Sequence, residues 1–248
     1  MTSTSTPPIL KMGATNCYLI KCEKGYMLID TSFPIYYERF IKELNRLNVD
    51  VSEIKYLLLT HHHDDHAGFA AKMKEIAGCR LIVHKNSVEP LRSGSMIYMN
   101  HPLNIRVKIT MAIFNKLKKR TFRIDPVILD DEDIVYTGED DRLLNNIGID
   151  GKIIYTPGHT IDSISVVLDS GDAFVGDICM NFLNFCGIHY RPIWLYDEAL
   201  VLDSWRKIIG SGARTIYPAH GEPFTVDGLI RYEKLYAAKC RPSADPAI

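Results

Sequence analysis

The chain alternates short apolar runs with stretches in which apolar residues recur every three or four positions. The short runs predict buried strands, and the wider spacing predicts helices that bury one face, as Phe40, Ile41, Leu44 and Leu47 do. In the first half this pattern predicts strands within 9 to 30, a helix near 35 to 47, a strand at 54 to 59, a helix at 67 to 77 and a strand at 80 to 84.

The second half repeats this order of elements. It predicts strands at 143 to 155, 163 to 169 and 172 to 176, a helix at 197 to 210, a strand at 214 to 217 and a closing helix near 226 to 239. The ends, 1 to 8 and 241 to 248, carry no such pattern, so we expect them to be loose. Strands followed by helices in both halves indicate α/β structure, with helices covering the sheets.

The junction between the predicted strand at 54 to 59 and the helix at 67 to 77 holds a dense group of metal-binding side chains. Four of them fall within six positions: His61, His63, Asp65 and His66. Side chains at such a junction are held by rigid elements at the edge of a sheet, where a ligand can reach them. We expect the remaining imidazole, His62, to point away from the others into solvent.

Three further predicted strands end in a small residue followed by a metal-binding side chain. Together the four strand ends carry five histidines and two aspartates: His61, His63, Asp65, His66, His159, Asp177 and His220. Imidazole and carboxylate ligands suit zinc, iron or manganese better than calcium. These ligands are sufficient for two divalent ions that share a bridging carboxylate. We expect zinc, with iron or manganese as alternatives.

In these residues the chain resembles the metallo-β-lactamase-fold hydrolases. The HxHxDH motif, then His159, Asp177 and His220, follow the order of that family, and residues 16 to 20 and 28 to 31 resemble its opening strands. The similarity covers roughly residues 10 to 235. It implies one domain over 1 to 248, folded as a four-layer αββα sandwich with a dinuclear metal site at one edge of the sheets.

The resemblance also implies how the ligands divide between the two metals. His61, His63 and His159 would hold the first ion. Asp65, His66 and His220 would hold the second, and Asp177 would bridge the two.

The chemistry expected of such a site is hydrolysis by a hydroxide that bridges the two metals, without an organic cofactor. Asp65 and Asp177 are the candidate catalytic carboxylates, because they can orient the water and accept its proton. The expected substrate is a small carboxylic ester, thioester or lactone, either acyl or anionic. The alternatives are a phosphodiesterase or nuclease of the same fold, and a binding or sensor module without turnover.

Several residues near the ligands are candidates for supporting roles. Asp30 is a candidate to orient a ligand histidine, and Thr160 and Asp162 to support the loop after His159. Tyr190 and Arg191 are interpreted mainly as packing residues, with substrate contact as the alternative. The six cysteines are scattered along the sequence, which predicts reduced thiols. Among them, we expect Cys179 to pack as a small apolar side chain.

A basic insertion, about 86 to 130, interrupts the regular order of elements. Residues 90 to 124 contain no Asp or Glu but carry eight Lys or Arg among many apolar residues, and an acidic stretch follows. The pattern is typical of helix-rich structure. It leaves three alternatives open: a packed insertion or homodimer contact, a cap that selects an acyl or anionic substrate, and a patch that binds an anionic membrane surface.

The amino-acid composition and net charge indicate which kinds of binding partner to expect. The 248 residues are 46% hydrophobic and 24% charged, with a formal net charge of −1, so overall charge predicts no nucleic-acid binding. No apolar stretch is long enough for stable membrane insertion, and the first residues lack the features of a signal peptide. We therefore expect a cytoplasmic protein that acts on a small-molecule substrate.

Overall fold

The structure is a computed structural model that describes residues 7–95, 101–118, 123–138 and 142–240. The two predicted loose ends lie outside these residues, apart from positions 7 and 8, and so do parts of the basic insertion. Its strands are β1 (Ile9–Met12), β2 (Thr15–Cys22), β3 (Gly25–Ile29), β4 (Ile54–Leu58), β5 (Arg80–His84), β6 (His101–Pro102), β7 (Ile134–Tyr136), β8 (Gly151–Tyr155), β9 (Ile164–Leu168), β10 (Asp172–Phe174), β11 (Trp194–Leu195), β12 (Thr215–Tyr217) and β13 (Phe224–Thr225). Its α-helices are α1 (Tyr37–Arg46), α2 (Asp64–Ala67), α3 (Ala70–Ala77), α4 (Val88–Ser93), α5 (Ile105–Lys118), α6 (Glu198–Gly210) and α7 (Val226–Cys240).

Two sheets form the centre of the fold. One has the order β1-β2-β3-β4-β5-β7, antiparallel from β1 to β3 and parallel from β3 to β7. The other has the order β13-β12-β10-β9-β8, in which β10 and β12 are parallel. A two-stranded pair, β6 with β11, joins the insertion to the second half of the chain.

Each sheet is buried on both faces. Neighbouring residues of β4 show this, because Leu57 belongs to the core beneath α1 and α3, whereas Leu58 belongs to the core between the sheets. In the second sheet, Phe174 faces the core between the sheets and Ala173 faces the core beneath α6 and α7. Such strands read as continuous apolar runs. The predicted four-layer αββα sandwich is therefore confirmed.

Two predicted elements had wrong boundaries, and one strand was missed. The predicted strand at 143 to 155 begins only at Gly151, because Asn145–Ile147 form a 3₁₀ turn that ends at Gly148 with φ +80°. Strand β7 was missed, since it has only three residues and follows an acidic run. The helix predicted at 67 to 77 is two helices, α2 and α3, and the first begins earlier, at Asp64.

The described part of the basic insertion contains α4, β6 and α5. One face of α5 packs through Val107 and Met111 on the segment that follows the metal-ligand candidate Asp177, a cluster that includes Met180 and Ile188. The opposite face exposes three isoleucines: Ile105, Ile109 and Ile113. Arg106, Lys108 and Lys116 are also exposed on this helix. Whether this face serves as a substrate cap, a dimer contact or a membrane patch stays a prediction. No helix among the described residues has the length and apolar composition of a membrane span.

Replacing Asp197 by alanine tests the cap of α6. The Asp197 side chain accepts a hydrogen bond from the backbone N–H of Leu200 at 3.0 Å. Its loss should lower the free energy of unfolding by about 1 kcal/mol in urea denaturation. The matched control is Asp203→Ala, which removes an exposed aspartate from the same helix and should change stability by less than about 0.5 kcal/mol. Equal losses in the two variants would contradict the capping role.

Candidate metal centre

The ends of four strands bring all the predicted ligands to one edge of the two sheets. β4 leads into His61, His63, Asp65 and His66; β8 leads into His159; β10 leads into Asp177; and β12 leads into His220. All of these side chains are buried, and Asp65 is the most exposed at 9%. Burial of so many titratable groups in one place is costly unless they are paired with each other or with an ion.

A glycine allows the strand ends to approach one another. Gly176 lies directly before Asp177 with φ +52°, and a Cβ at this position would lie 2.5 Å from Oγ1 of Thr60. Any larger residue would push β10 away from the loop that carries His61. The glycine therefore permits the contact between the two sheets that assembles the cluster.

Three imidazoles form a first cluster. Nε2 of His61 lies 3.0 Å from Nδ1 of His63, and Nε2 of His159 lies 3.1 Å from the same atom. Nitrogen ligands at about 2.0–2.1 Å from a tetrahedral zinc ion lie about 3.3 Å apart. The three nitrogens are therefore close to the spacing that one zinc ion requires.

A second cluster contains Asp65, His66 and His220. Nε2 of His220 lies 3.3 Å from Oδ2 of Asp65, and Nε2 of His66 lies 3.9 Å from Oδ1 of Asp65. The ligand atoms of this trio all lie within 4.8 Å of one another. A mixed set of imidazole and carboxylate suits zinc, iron or manganese.

The carboxylate of Asp177 lies between the two clusters. Its Oδ1 is 3.3 Å from Nε2 of His66 and 3.4 Å from Nε2 of His220. Its Oδ2 is 3.5 Å from Nε2 of His159. One oxygen thus faces each cluster.

Two buried atoms at the centre fit a metal ion. Within the described part of the chain, Nε2 of His66 and Oδ1 of Asp177 make no hydrogen bond, although both are buried and face each other. A buried polar atom that makes no hydrogen bond costs about 1–3 kcal/mol, of which an ion pair offsets only a part. A divalent cation between these groups would satisfy both, so the residues present fit a metal.

Burial favours the neutral form of the imidazoles in the first cluster. It lowers the pKa of His61, His63 and His159, and neighbouring imidazoles lower the pKa of His61 and His63 further. A neutral imidazole offers a lone pair to a metal, whereas an imidazolium does not. The first cluster therefore needs no proton release before it binds an ion.

Carboxylates control the protonation of the second cluster. Burial alone would lower the pKa of His66 and His220, but Asp177 and its neighbouring carboxylates outweigh it and raise the pKa of His220 to about 10. The same imidazolium groups hold the pKa of Asp177 well below its usual range, although burial acts in the opposite direction. Without a metal, protons neutralise this cluster; a divalent ion can take their place.

Contacts on the far side of three imidazoles direct their Nε2 atoms inwards. Oδ2 of Asp30 lies 2.8 Å from Nδ1 of His66, so Asp30 orients a histidine of the cluster as predicted. The backbone carbonyl of Trp194 lies 2.8 Å from Nδ1 of His159, and that of Ala14 lies 2.8 Å from Nδ1 of His220. Each acceptor places the proton on Nδ1 and leaves the lone pair of Nε2 for a metal.

The prediction for His62 was wrong. Its side chain is buried, and its ring Nδ1 lies 2.9 Å from Oδ2 of Asp162. Asp162 is also buried, so it supports the loop after His159 as predicted, while Thr160 bonds to Ser163 within the same loop. The imidazole turns away from the metal cluster, as expected, but it meets a carboxylate instead of water.

Other candidates have packing roles. Tyr190 stacks on Phe224 with ring centroids 4.0 Å apart, and Arg191 pairs with Glu198 at 2.9 Å. Cys179 is fully buried in the core beneath α6 and α7, and burial raises the pKa of its thiol. Among the described residues five cysteines are free, as predicted: Cys17, Cys22, Cys79, Cys179 and Cys186.

The sequence interpretation missed an aromatic side chain beside the cluster. The ring of Phe182 lies 6.0 Å from that of His220. An aromatic residue five positions after Asp177 has no distinctive pattern. Its only signal was its place in the segment between β10 and β11.

This geometry can be compared with known proteins. The profile of the metallo-beta-lactamase superfamily matches residues 10–220, which is most of the chain and includes every residue of the cluster. The chain belongs to the metallo-β-lactamase superfamily. Members of this superfamily are usually hydrolases that bind metal ions.

Curated relatives in this superfamily are similar over most of the chain. The lactamase-like protein nscB of Arthroderma benhamiae is 27% identical over 218 residues, which are 87% of this chain and 38% of the relative. The lactamase-like protein vrtG of Penicillium aethiopicum is 25% identical over 93% of this chain and 58% of the relative. The chain thus spans about half the length of the curated relatives that it matches.

Solved structures show the same fold at lower identity. A metallo-beta-lactamase of Cronobacter sakazakii has a TM-score of 0.66 at 17% identity, covering 94% of this chain and 89% of its own. An archaeal superfamily protein of Sulfolobus tokodaii has a TM-score of 0.62 at 18% identity, covering 98% and 89%. These similarities confirm the fold and leave the substrate open.

Adding zinc to the metal-free protein should raise its melting temperature. An ion present at about 1,000 times its Kd contributes about 4 kcal/mol, which corresponds to roughly 10 °C for a chain of this size. Calcium is the control, because it prefers oxygen ligands and should leave the melting temperature nearly unchanged. Differential scanning fluorimetry measures both. Equal shifts with the two ions, or no shift with zinc, would contradict a metal centre of imidazoles and carboxylates.

Proposed function

We propose that the chain is a dinuclear metallohydrolase that acts on a small carboxylic ester, thioester or lactone. The observation that carries the proposal is the position of Asp177, whose two carboxylate oxygens lie within 3.3–3.5 Å of nitrogen atoms from both clusters. Such a carboxylate is suited to hold two ions side by side. Zinc is the proposed metal, with iron or manganese as alternatives.

The proposed ligands divide as the clusters do. His61, His63 and His159 would hold one ion, Asp65, His66 and His220 the other, and Asp177 both. When bound, the two ions would supply Lewis acidity to the substrate and lower the pKa of a coordinated water to roughly 7.

The two carboxylates of the cluster have the proposed catalytic roles. Asp65 is the most exposed of the cluster residues at 9%, so its carboxylate lies where solvent reaches the site most readily. From there it can orient a water molecule and accept a proton at its Oδ atoms. Asp177 would act with it, while also holding both ions. Neither role requires an organic cofactor.

The surroundings of the site favour an acyl substrate. The aromatic ring of Phe182 lies next to His220, and α5 packs on the same segment of chain through apolar residues. An aromatic ring beside the cluster suits the hydrocarbon part of an ester, thioester or lactone. We propose a small-molecule substrate and no nucleic-acid partner.

A second candidate function is hydrolysis of a phosphodiester. The observation that favours it is the presence of three exposed basic side chains on α5, namely Arg106, Lys108 and Lys116, which can attract phosphate. A binding or sensor module without turnover is the remaining alternative, and we rank it last because every ligand of the cluster is present. We also propose one catalytic domain. The proposed location is cytoplasmic, which is consistent with the free cysteines among the described residues.

A panel of substrates separates these functions. The zinc-loaded protein should hydrolyse at least one of a thioester, a carboxylic ester and a lactone, and should leave a chromogenic phosphodiester intact. Turnover of the phosphodiester alone would replace the acyl proposal by the phosphodiesterase. Absence of turnover on every class would favour the binding module.

Single substitutions in the cluster test the assignment of the site. His61→Ala and Asp177→Ala should lower kcat/KM on the acyl substrate by at least about 100-fold, since each removes a group that positions a catalytic ion. Asp203→Ala, on the exposed face of α6, is the control and should keep the wild-type rate. Circular dichroism checks that the variants fold. Full activity in either cluster variant would show that the reaction takes place elsewhere.

A further inference from the structure

A buried carboxylate joins two of the loops that build the first cluster. Oδ2 of Asp162 accepts three hydrogen bonds, from the backbone N–H of His62 at 2.9 Å, from Nδ1 of His62 at 2.9 Å and from Oγ of Ser87 at 2.6 Å. All three side chains are buried. A carboxylate oxygen with three donors in a dry environment makes strong, charge-assisted bonds and is held in one position.

The place of this contact in the chain matters for the metal ligands. His62 lies between His61 and His63, and Asp162 lies three residues after His159. The hydrogen bonds therefore connect the loop that supplies two imidazoles of the first cluster to the loop that supplies the third.

Among the described residues, few backbone hydrogen bonds connect these two loops to each other. β4 ends at Leu58 and β8 ends at Tyr155, so both loops have left their strands before they reach the ligands. A backbone hydrogen bond from Ile164 to Thr60, at 2.9 Å, links the loops at one end. The hydrogen bonds between Asp162 and His62 link the loops directly beside the ligands.

We propose that Asp162 is a positioning residue for the first metal site, with His62 and Ser87 as its hydrogen-bond partners. The proposal rests on the two-metal function proposed above. Asp162 touches neither the metal nor the substrate; it sets the distances among His61, His63 and His159. The second site has its own supports, because Asp30 bonds to His66 and the carbonyl of Ala14 bonds to His220.

The proposal predicts a loss of metal affinity at one site only. Loss of a residue that orients metal ligands typically lowers affinity by about 10–100-fold. Asp162→Ala should therefore lower zinc affinity by this amount in a His220→Ala background, which keeps the first site. In a His159→Ala background, which keeps the second site, the change should stay below about 3-fold. Competition with a chromophoric chelator measures both affinities without any substrate.

Two comparisons separate positioning from a general effect on folding. Asp133 is a matched control, because it is a buried carboxylate that accepts backbone hydrogen bonds from Leu81 at 2.7 Å and Asp130 at 2.9 Å, away from the cluster. Asp133→Ala should lower the melting temperature of the metal-free protein and leave zinc affinity unchanged. Asp162→Asn keeps a carbonyl oxygen as an acceptor, so it should retain most of the affinity that Asp162→Ala loses.

If Asp162→Ala does not fold, Ser87→Ala provides the test, since it removes one of the three hydrogen bonds. It should lower the affinity of the first site by about 3–10-fold. Equal losses at the two sites, or unchanged affinity with only a lower melting temperature, would overturn the positioning role. Absence of zinc binding by the wild-type chain would instead overturn the two-metal function itself, so the two failures are distinguishable.

Discussion

The structure depends on the neutralisation of a group of buried imidazoles and carboxylates at one edge of two sheets. Burial favours the neutral form of every such group, yet Oδ1 of Asp177 lies within 3.4 Å of His66 and His220 and accepts no hydrogen bond in the described part of the chain. Ion pairs among the side chains offset part of this cost in the metal-free protein. Two divalent cations would offset it more completely, and they would bring the Lewis acidity that the proposed hydrolysis needs.

The fold serves this cluster in two ways. Each sheet is covered by helices on its outer face and by the other sheet on its inner face, so strands can end at one edge and leave only their loops to form the site. Contacts behind the ligands then set their orientation. Asp30 and the carbonyl groups of Ala14 and Trp194 fix individual rings, and Asp162 joins two loops.

The strands and the cluster residues could be predicted from local patterns, because apolar runs that end in His or Asp indicate the edge of a sheet. The four-layer architecture was implied by the resemblance to the metallo-β-lactamase fold. The groups that orient the ligands from behind could not be predicted so readily. The partner of His62 lies 100 residues away in the chain, and the carbonyl groups of Ala14 and Trp194 can belong to any residue type. Strand β7 was missed because three residues beside an acidic run are too few to show a period. The role of α5 stays open, since a helix with apolar residues on two faces does not reveal what covers the second one.

The central claim is that the cluster around Asp177 binds two metal ions in one site. Native mass spectrometry of the metal-free chain, titrated with zinc, tests it most directly, because the mass counts ions on each molecule. The account predicts that the species with two zinc ions per chain is the end point of the titration. A titration that ends at one zinc ion, or at none, on the folded chain would contradict it.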